Sequence, residues 1–254
     1  MCDKYEINNK DKSNEIYEIY LNKALNSPNI NDAIENMKLA LIYAKSKIPT
    51  EILKAQQLKG SLWSDPKARD YLIIKGQLGY LYEISGDYDN AICVYEKLLK
   101  LDTNDNQNVK DKLIPLYILK GKEEQAYKLI KIYEKDKSAA MLYNKALYYF
   151  VTQDKFNAKL FIKKAMKANK YVPEYLIGIK NVNFPIENKF ELGSEDEAKC
   201  YFNDAMIVWI QDKKTLLWLV DEYFIYIDKN NIELEWDKKY IKDTIETVFK
   251  NITE

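Results

Sequence analysis

The chemistry open to this chain is narrowed first by a residue it lacks. Its 254 residues contain no histidine, which removes the commonest general base and the commonest transition-metal ligand together. Ser/His/Asp and Cys/His catalysis and HExxH zinc sites are therefore excluded. The three cysteines, Cys2, Cys93 and Cys200, stand far apart with no CxxC pair and are odd in number. That is the pattern of reduced, packed thiols in a cytoplasmic protein. No glycine-rich phosphate loop is present. Acidic residues do cluster in "GSEDEA", 193–198. There Ser194 with Glu197 three residues on reads as a capping box, and Glu195 and Asp196 suit the positive end of a helix dipole. Glu83 and Asp111 are the carboxylates whose mutation would expose any turnover. We expect no catalytic residue, no metal and no cofactor, and hence a protein that binds rather than reacts.

The charges narrow the partner. Basic and acidic residues balance at 39 each, and lysines alternate with acids along the whole chain instead of gathering on one tail or face, so a nucleic-acid partner is not expected. Arg69 is the single arginine, and it falls in "LWSDPKARDY". Trp63, Arg69 and Tyr71 make a secondary candidate patch. In the competing reading, which we favour, Trp63 plugs a junction and Arg69 ties down a carboxylate or helix-end carbonyls. "TNDNQ", 103–107, reads as capping chemistry between helices. The N-terminus has no apolar stretch of the secretory kind. The most apolar later segment, "MIVWIQDKKTLLWLVDEYFIYI", is broken by Asp212, Lys213, Lys214, Asp221 and Glu222 and is not expected to span a bilayer.

These residues have to be positioned by helices. Few glycines and prolines, apolar residues at i, i+3, i+4 and i+7, and no alternating runs predict helix nearly throughout. Breaks are expected near 27–29, Pro49, 64–66, 85–86, 104–106, Gly121, 153–154, Pro173, 181–193 and 229–231. An internal repeat emerges between them. Leu78, Gly79, Tyr82, Gly86, Ala91 and Tyr95 recur as Leu113, Ile114, Tyr117, Gly121, Ala126 and Ile130, every one 35 positions on. A third copy keeps Ala146, Tyr149, Ala158, Ile162 and Ala165, and Ala33 and Ala198 start weaker ones. Small Gly79 and Ala146 let two helices of a hairpin approach, the tyrosines fill the adjacent space, and Gly86 and Gly121 permit tight turns with positive φ.

Together these residues resemble the tetratricopeptide repeat family, whose period is about 34 residues. The resemblance implies an all-α solenoid of about five antiparallel helix pairs in a right-handed superhelix. "LWSDPKARDY", "VPEYLIGIK" and "GSEDEA" are further similar to elements of a group of bacterial tetratricopeptide proteins. That group shares its VPxYL and GSxxEA elements with the eukaryotic suppressor of tumorigenicity seven proteins. An interaction or regulatory role follows from that likeness. Asn108 and Lys110 depart from it, and the zinc-binding cysteine tail of some relatives is missing. The expected organisation is a disordered tail over 1–12 and a solenoid over 13–228. The solenoid carries an insertion at about 49–71 and a flap at about 181–193, in which Phe184, Ile186 and Phe190 pack over it. A C-terminal capping helix is expected over 229–254.

In this family the partner lies on the concave face, built by the first helix of each pair. Carried onto this chain, the resemblance makes Tyr80, Glu83, Ile84, Asp111, Leu119, Tyr143, Leu147 and Phe150 the groove residues. Gly76, Tyr80 and Ala140 stand where a carboxylate clamp would need basic or amide side chains, so no clamp is expected. The expected function is that of a cytoplasmic adaptor, monomeric or weakly dimeric, holding a partner protein or apolar helical peptide. The alternative is a ligand-responsive regulator that closes on a peptide or small molecule.

Overall fold

The computed structural model describes residues 9–183 and 190–253, and among them it is helical with no strand. It divides into two compact units, Met1–Leu113 and Ile114–Glu254. The boundary falls inside helix α6.

Unit 1 begins with α1 (Asn9–Leu25) and α2 (Ile30–Ser46), a hairpin joined by a turn that Asn29 caps by accepting from the Asn31 amide at 2.8 Å. Residues 9–12, expected in the tail, already belong to α1. The predicted insertion is α3 (Thr50–Lys59) and a single 3₁₀ turn, Leu62–Ser64, with the fully buried Leu62. It is pinned to the far end of α5 (Tyr88–Leu101) by the Thr103 amide donating to the Gly60 carbonyl at 2.7 Å. Then comes α4 (Pro66–Ile84), which starts where Asp65 accepts from the Lys67 amide and Pro66 takes the first turn. Helix α4 packs on α2 and α5. Gly79 makes the second contact possible, because a Cβ there would fall 2.8 Å from Cζ of Tyr95.

Helix α6 (Val109–Leu119) is capped by Asp105, whose carboxylate accepts from the Val109 and Lys110 amides at 2.6 and 3.1 Å. The "TNDNQ" stretch is thus capping chemistry. Unit 2 continues with α7 (Glu123–Ile132), α8 (Ala139–Val151), α9 (Lys155–Ala168), the one-turn α10 (Val172–Leu176), α11 (Glu195–Trp209), α12 (Lys213–Asn230) and α13 (Lys238–Thr253). Its core joins Tyr143 and Ala146 of α8, Ala158 and Ile162 of α9, Trp209 of α11 and Leu219 and Tyr223 of α12, all at most 1% exposed.

The hairpin turns repeat in detail. Gly86 and Gly121 have φ of 79° and 65°. Around each, one amide bridges five residues back, Asp87 to Tyr82 at 2.9 Å and Lys122 to Tyr117 at 2.8 Å, and the glycine amide bridges three back. That is the same left-handed helix stop twice, and Asn231, φ 51°, makes it a third time after α12. The following starts repeat too, with Asp87 holding Asn90 and Asp154 holding Asn157 through the same pair of bonds. Ala91, Ala126, Ala158 and Ala198 are all buried.

Two breaks were not predicted. Helices α7 and α8 are parted at 133–138, where Ser138 caps α8 and Lys145 donates back to the carbonyls of Glu134 and Asp136 at 3.0 and 3.3 Å. Helices α11 and α12 are parted at 210–212, where Asp212 accepts from the Lys214 amide. Neither break carries glycine or proline, so both escape a reading built on those residues. The C-terminal segment becomes helical only at Lys238. Ile241 and Ile245 are buried in its contact with α12, while Trp236 and Tyr240 stack on each other at 4.9 Å, 40% and 53% exposed. Of the expected flap, Phe184 and Ile186 lie outside the described residues. Phe190 is 42% exposed instead of packed down. No described helix is long and apolar enough to cross a membrane.

Candidate functional site

The groove residues expected from the sequence divide between the two units and meet different fates. In unit 1 they concentrate on α4. Successive helical residues advance by about 100°, so Ile73, Tyr80 and Ile84 fall within about 40° of one another around the helix. All three are open to solvent, at 41%, 37% and 55% exposure. The opposite side of the same helix buries Leu72, Leu78 and Gly79 against α2 and α5. Lys112 Nζ stands 5.5 Å from the Tyr80 ring centroid, edging the apolar stripe with a cation. Glu83 is half-buried beside it. Asp111 is buried and pairs with Lys110 at 3.5 Å, so it belongs to the α6 cap region and not to an open face.

In unit 2 the expected groove is filled. Tyr143 and Leu147 are 0% and 1% exposed. The Tyr143 hydroxyl donates to the Asn169 carbonyl at 2.7 Å, and its ring meets that of Tyr201 from α11 at 5.4 Å. Tyr201 donates in turn to Asn144 Oδ1 and accepts from Trp209 Nε1, both at 3.0 Å. Phe150 is covered by Trp218 of α12, ring on ring at 4.3 Å. Tyr143, Leu147 and Phe150 are therefore corrected from groove to packing residues, because α11 and α12 lay aromatic side chains on the face of α8 that was expected to stay open. Leu119 is half-buried.

Of the secondary patch, Trp63 is half-buried, Arg69 exposed and Tyr71 buried. Arg69 Nε donates to the Trp63 carbonyl at 3.1 Å, tying the 3₁₀ turn to the start of α4.

The two motifs quoted apart, "VPEYLIGIK" and "GSEDEA", are brought together. Lys180 Nζ lies 2.9 Å from Glu174 and 2.7 Å from Glu195. Tyr175 donates to the other oxygen of Glu195 at 2.9 Å, and Tyr223 of α12 donates to Glu174 at 2.8 Å. A second knot forms beside it, where Asn169 Nδ2 donates to Glu197 at 2.9 Å and to the Ser194 carbonyl at 2.8 Å. Ser194 accepts from the Glu197 amide as the capping box requires. The return bond differs, since Glu197 accepts from the Gly193 amide instead of the cap residue's own. The electrostatics bear on three groups of the first knot, Lys180, Glu195 and Tyr175. Burial opposes the charge on Lys180, but its contacts with Glu195 and Glu174 outweigh that and raise its pKa. The hydrogen bond from Lys180 holds the Glu195 carboxyl below its ordinary value. Tyr175 is pushed up to about 12 by burial and by its bond to Glu195. The pKa values of Lys180, Glu195 and Tyr175 are each driven away from neutrality, whereas a general acid or base needs a pKa near working pH. The arrangement braces the long connection between α10 and α11. Lys180 was legible only as the last letter of its motif, and Trp218 only as one apolar residue among many.

Among the described residues no group of three or more histidine, cysteine or acidic side chains is placed to hold a metal ion. Comparison of the chain with protein-family models gives no match, and comparison with curated proteins gives none either.

Proposed function

We propose that this chain is a non-enzymatic adaptor that binds a partner protein through an apolar helical segment laid along the open face of α4. The observation that carries the reading is the stripe of Ile73, Tyr80 and Ile84, three large apolar side chains held out to water on one line of a helix whose other side buries Leu72, Leu78 and Gly79. Supporting it are the repeated hairpin turns, which suit a tetratricopeptide-like solenoid of about five helix pairs in a right-handed superhelix with capping helices at its C-terminal end. The balanced charge suits a protein partner in the cytoplasm better than a polyanion or a membrane surface.

The test is a Tyr80→Asp/Ile84→Asp variant, compared with the wild type as bait in lysate of the source cells after its helicity is shown to be unchanged. Both positions are exposed, so the fold should tolerate the change. A carboxylate placed in an apolar contact should weaken binding at least about tenfold. A protein held by the wild type and released by the variant is the expected result. The same proteins on both baits would remove α4 as the binding face.

A further inference from the structure

We propose that α9 docks unit 2 onto an anionic lipid surface, a contact separate from the apolar face of α4. The charge balance that holds over the whole chain fails locally here. Residues 155–170 contain six lysines and no acidic residue, and all six lysines are exposed. Lys38 and Lys128, exposed on other helices, each pair with an acid one turn away, Glu35 and Glu124. Along α9 that pairing is missing. Among the described residues only Lys159 has a carboxylate partner, Glu222 of α12 at 3.8 Å. Lys164 and Lys170 lie over the rings of Phe161 and Tyr171, each 5.1 Å from the centroid, and meet no counter-charge there.

The same face holds two apolar side chains out to water, Phe156 at 79% exposure and Leu160 at 38%. With about 100° between successive residues, Lys159, Leu160, Lys163 and Lys167 all fall within about 60° of Phe156, on a strip roughly 16 Å long. The opposite side buries Ala158, Ile162, Ala165 and Met166, and α9 packs on α8 and α12. A strip charged with one sign calls for a surface of the other. Anionic lipid headgroups are such a surface, and each lysine held beside them adds attraction. Phe156 and Leu160 decide between the anionic surfaces. A nucleic acid would engage the lysines but give Leu160 no apolar surroundings, and a folded acidic protein would need a hollow shaped to the Phe156 knob. The acyl boundary of a bilayer yields to a protruding ring of any shape. Phe156 and Leu160 enter it while the lysine ammonium groups stay among the headgroups. The contact needs no membrane-crossing helix, since α9 lies along the surface.

The probes are vesicles of phosphatidylcholine alone and of phosphatidylcholine with about 30% phosphatidylserine, and the readout is co-sedimentation of the whole protein. Binding is expected to the anionic vesicles only. It should fall at least about tenfold when salt is raised to about 1 M, where the screening length shrinks to about 3 Å. Lys163→Gln/Lys167→Gln should weaken it about thirtyfold, and Phe156→Ser at least about tenfold. All three positions are exposed, so helicity and Tm should match the wild type. Tyr80→Asp/Ile84→Asp, which alters the α4 face, should bind vesicles like the wild type, so that the two surfaces fail separately. No binding to anionic vesicles, equal binding to uncharged ones, or binding that survives both α9 variants overturns the proposal. Tighter binding of single-stranded DNA or of a helical glutamate-rich peptide, lost in Lys163→Gln/Lys167→Gln, overturns it as well and gives α9 that partner instead.

Discussion

Replacing Gly79 by alanine adds one methyl group at the tightest point of the α4–α5 hairpin. Its carbon would lie 2.8 and 2.9 Å from Cζ and Cδ1 of Tyr95, where carbon pairs settle at about 3.5–4.0 Å. Tyr95 is 1% exposed and packed against its own helix's neighbours, so the ring has nowhere to swing. Overpacking of this kind costs about 1–3 kcal/mol, and contact with several atoms of one rigid ring places it at the upper end. Alanine's better helix propensity offsets about 1 kcal/mol. The net loss should be about 2 kcal/mol, a fall of roughly 4–8 °C in Tm for a chain of this size. Thermal unfolding followed by circular dichroism measures it, and a second variant isolates the cause. In a Tyr95→Leu background the methyl group meets no ring, so Gly79→Ala should there become neutral or stabilising by up to about 1 kcal/mol. Equal destabilisation in both backgrounds, or a more stable Gly79→Ala protein, would refute the argument that glycine is required by the approach of Tyr95.

Two further variants address unit 2. Lys180→Met leaves Glu174, 8% exposed, and Glu195 facing each other without their common cation. It should cost about 1–3 kcal/mol in urea unfolding at neutral pH, a range reduced because Lys180 is itself 35% exposed on its side chain. The pH dependence has a definite sign. Glu195 is held below its ordinary value, so its contribution is present above the unfolded carboxylate pKa of about 4.3 and is lost as pH falls through the lower folded value. Lys180 is raised, so its contribution is complete below about 10.4 and fades only as pH rises past that. The gap between wild type and variant should therefore narrow on acidification, and a constant gap would show that lost packing, not charge, is responsible. Trp218→Ala removes the ring that covers Phe150 at 4.3 Å and stacks on Trp209 at 6.4 Å. A loss of about 2–3 kcal/mol and new binding of an apolar fluorescent dye are expected; an unchanged melting curve without dye binding would mean that α12 does not protect α8.

Much of the helical framework was legible because it is written in local chemistry. Gly86 and Gly121 announce the turn through the left-handed conformation that glycine takes most readily, Asp65 and Ser194 announce helix starts, and Ala91, Ala126 and Ala158 mark the small-residue contacts at nearly constant spacing. The breaks at 133–138 and 210–212 use Ser138 and Asp212 alone, with the stop supplied by carbonyls that bond to Lys145 or to nothing distinctive in sequence. The meeting of Lys180 with Glu174 and Glu195 was half visible, since both motifs could be quoted but nothing local says that a lysine after one will reach a carboxylate in the other.

The open face was harder, for a reason that lies in the residues themselves. Tyr80 and Tyr143 were read alike, as aromatic residues of the groove, yet one is 37% exposed and the other 0%. Nothing within α4 or α8 distinguishes them, because an apolar side chain fits a groove and a core equally well. The difference comes from Tyr201 and Trp218, which arrive more than fifty residues later. A polar neighbour was the better witness. Asn144, also 0% exposed, sits in the midst of "MLYNKALYYF", and a buried amide demands a partner. That partner is Tyr201, which commits this face of α8 to the core.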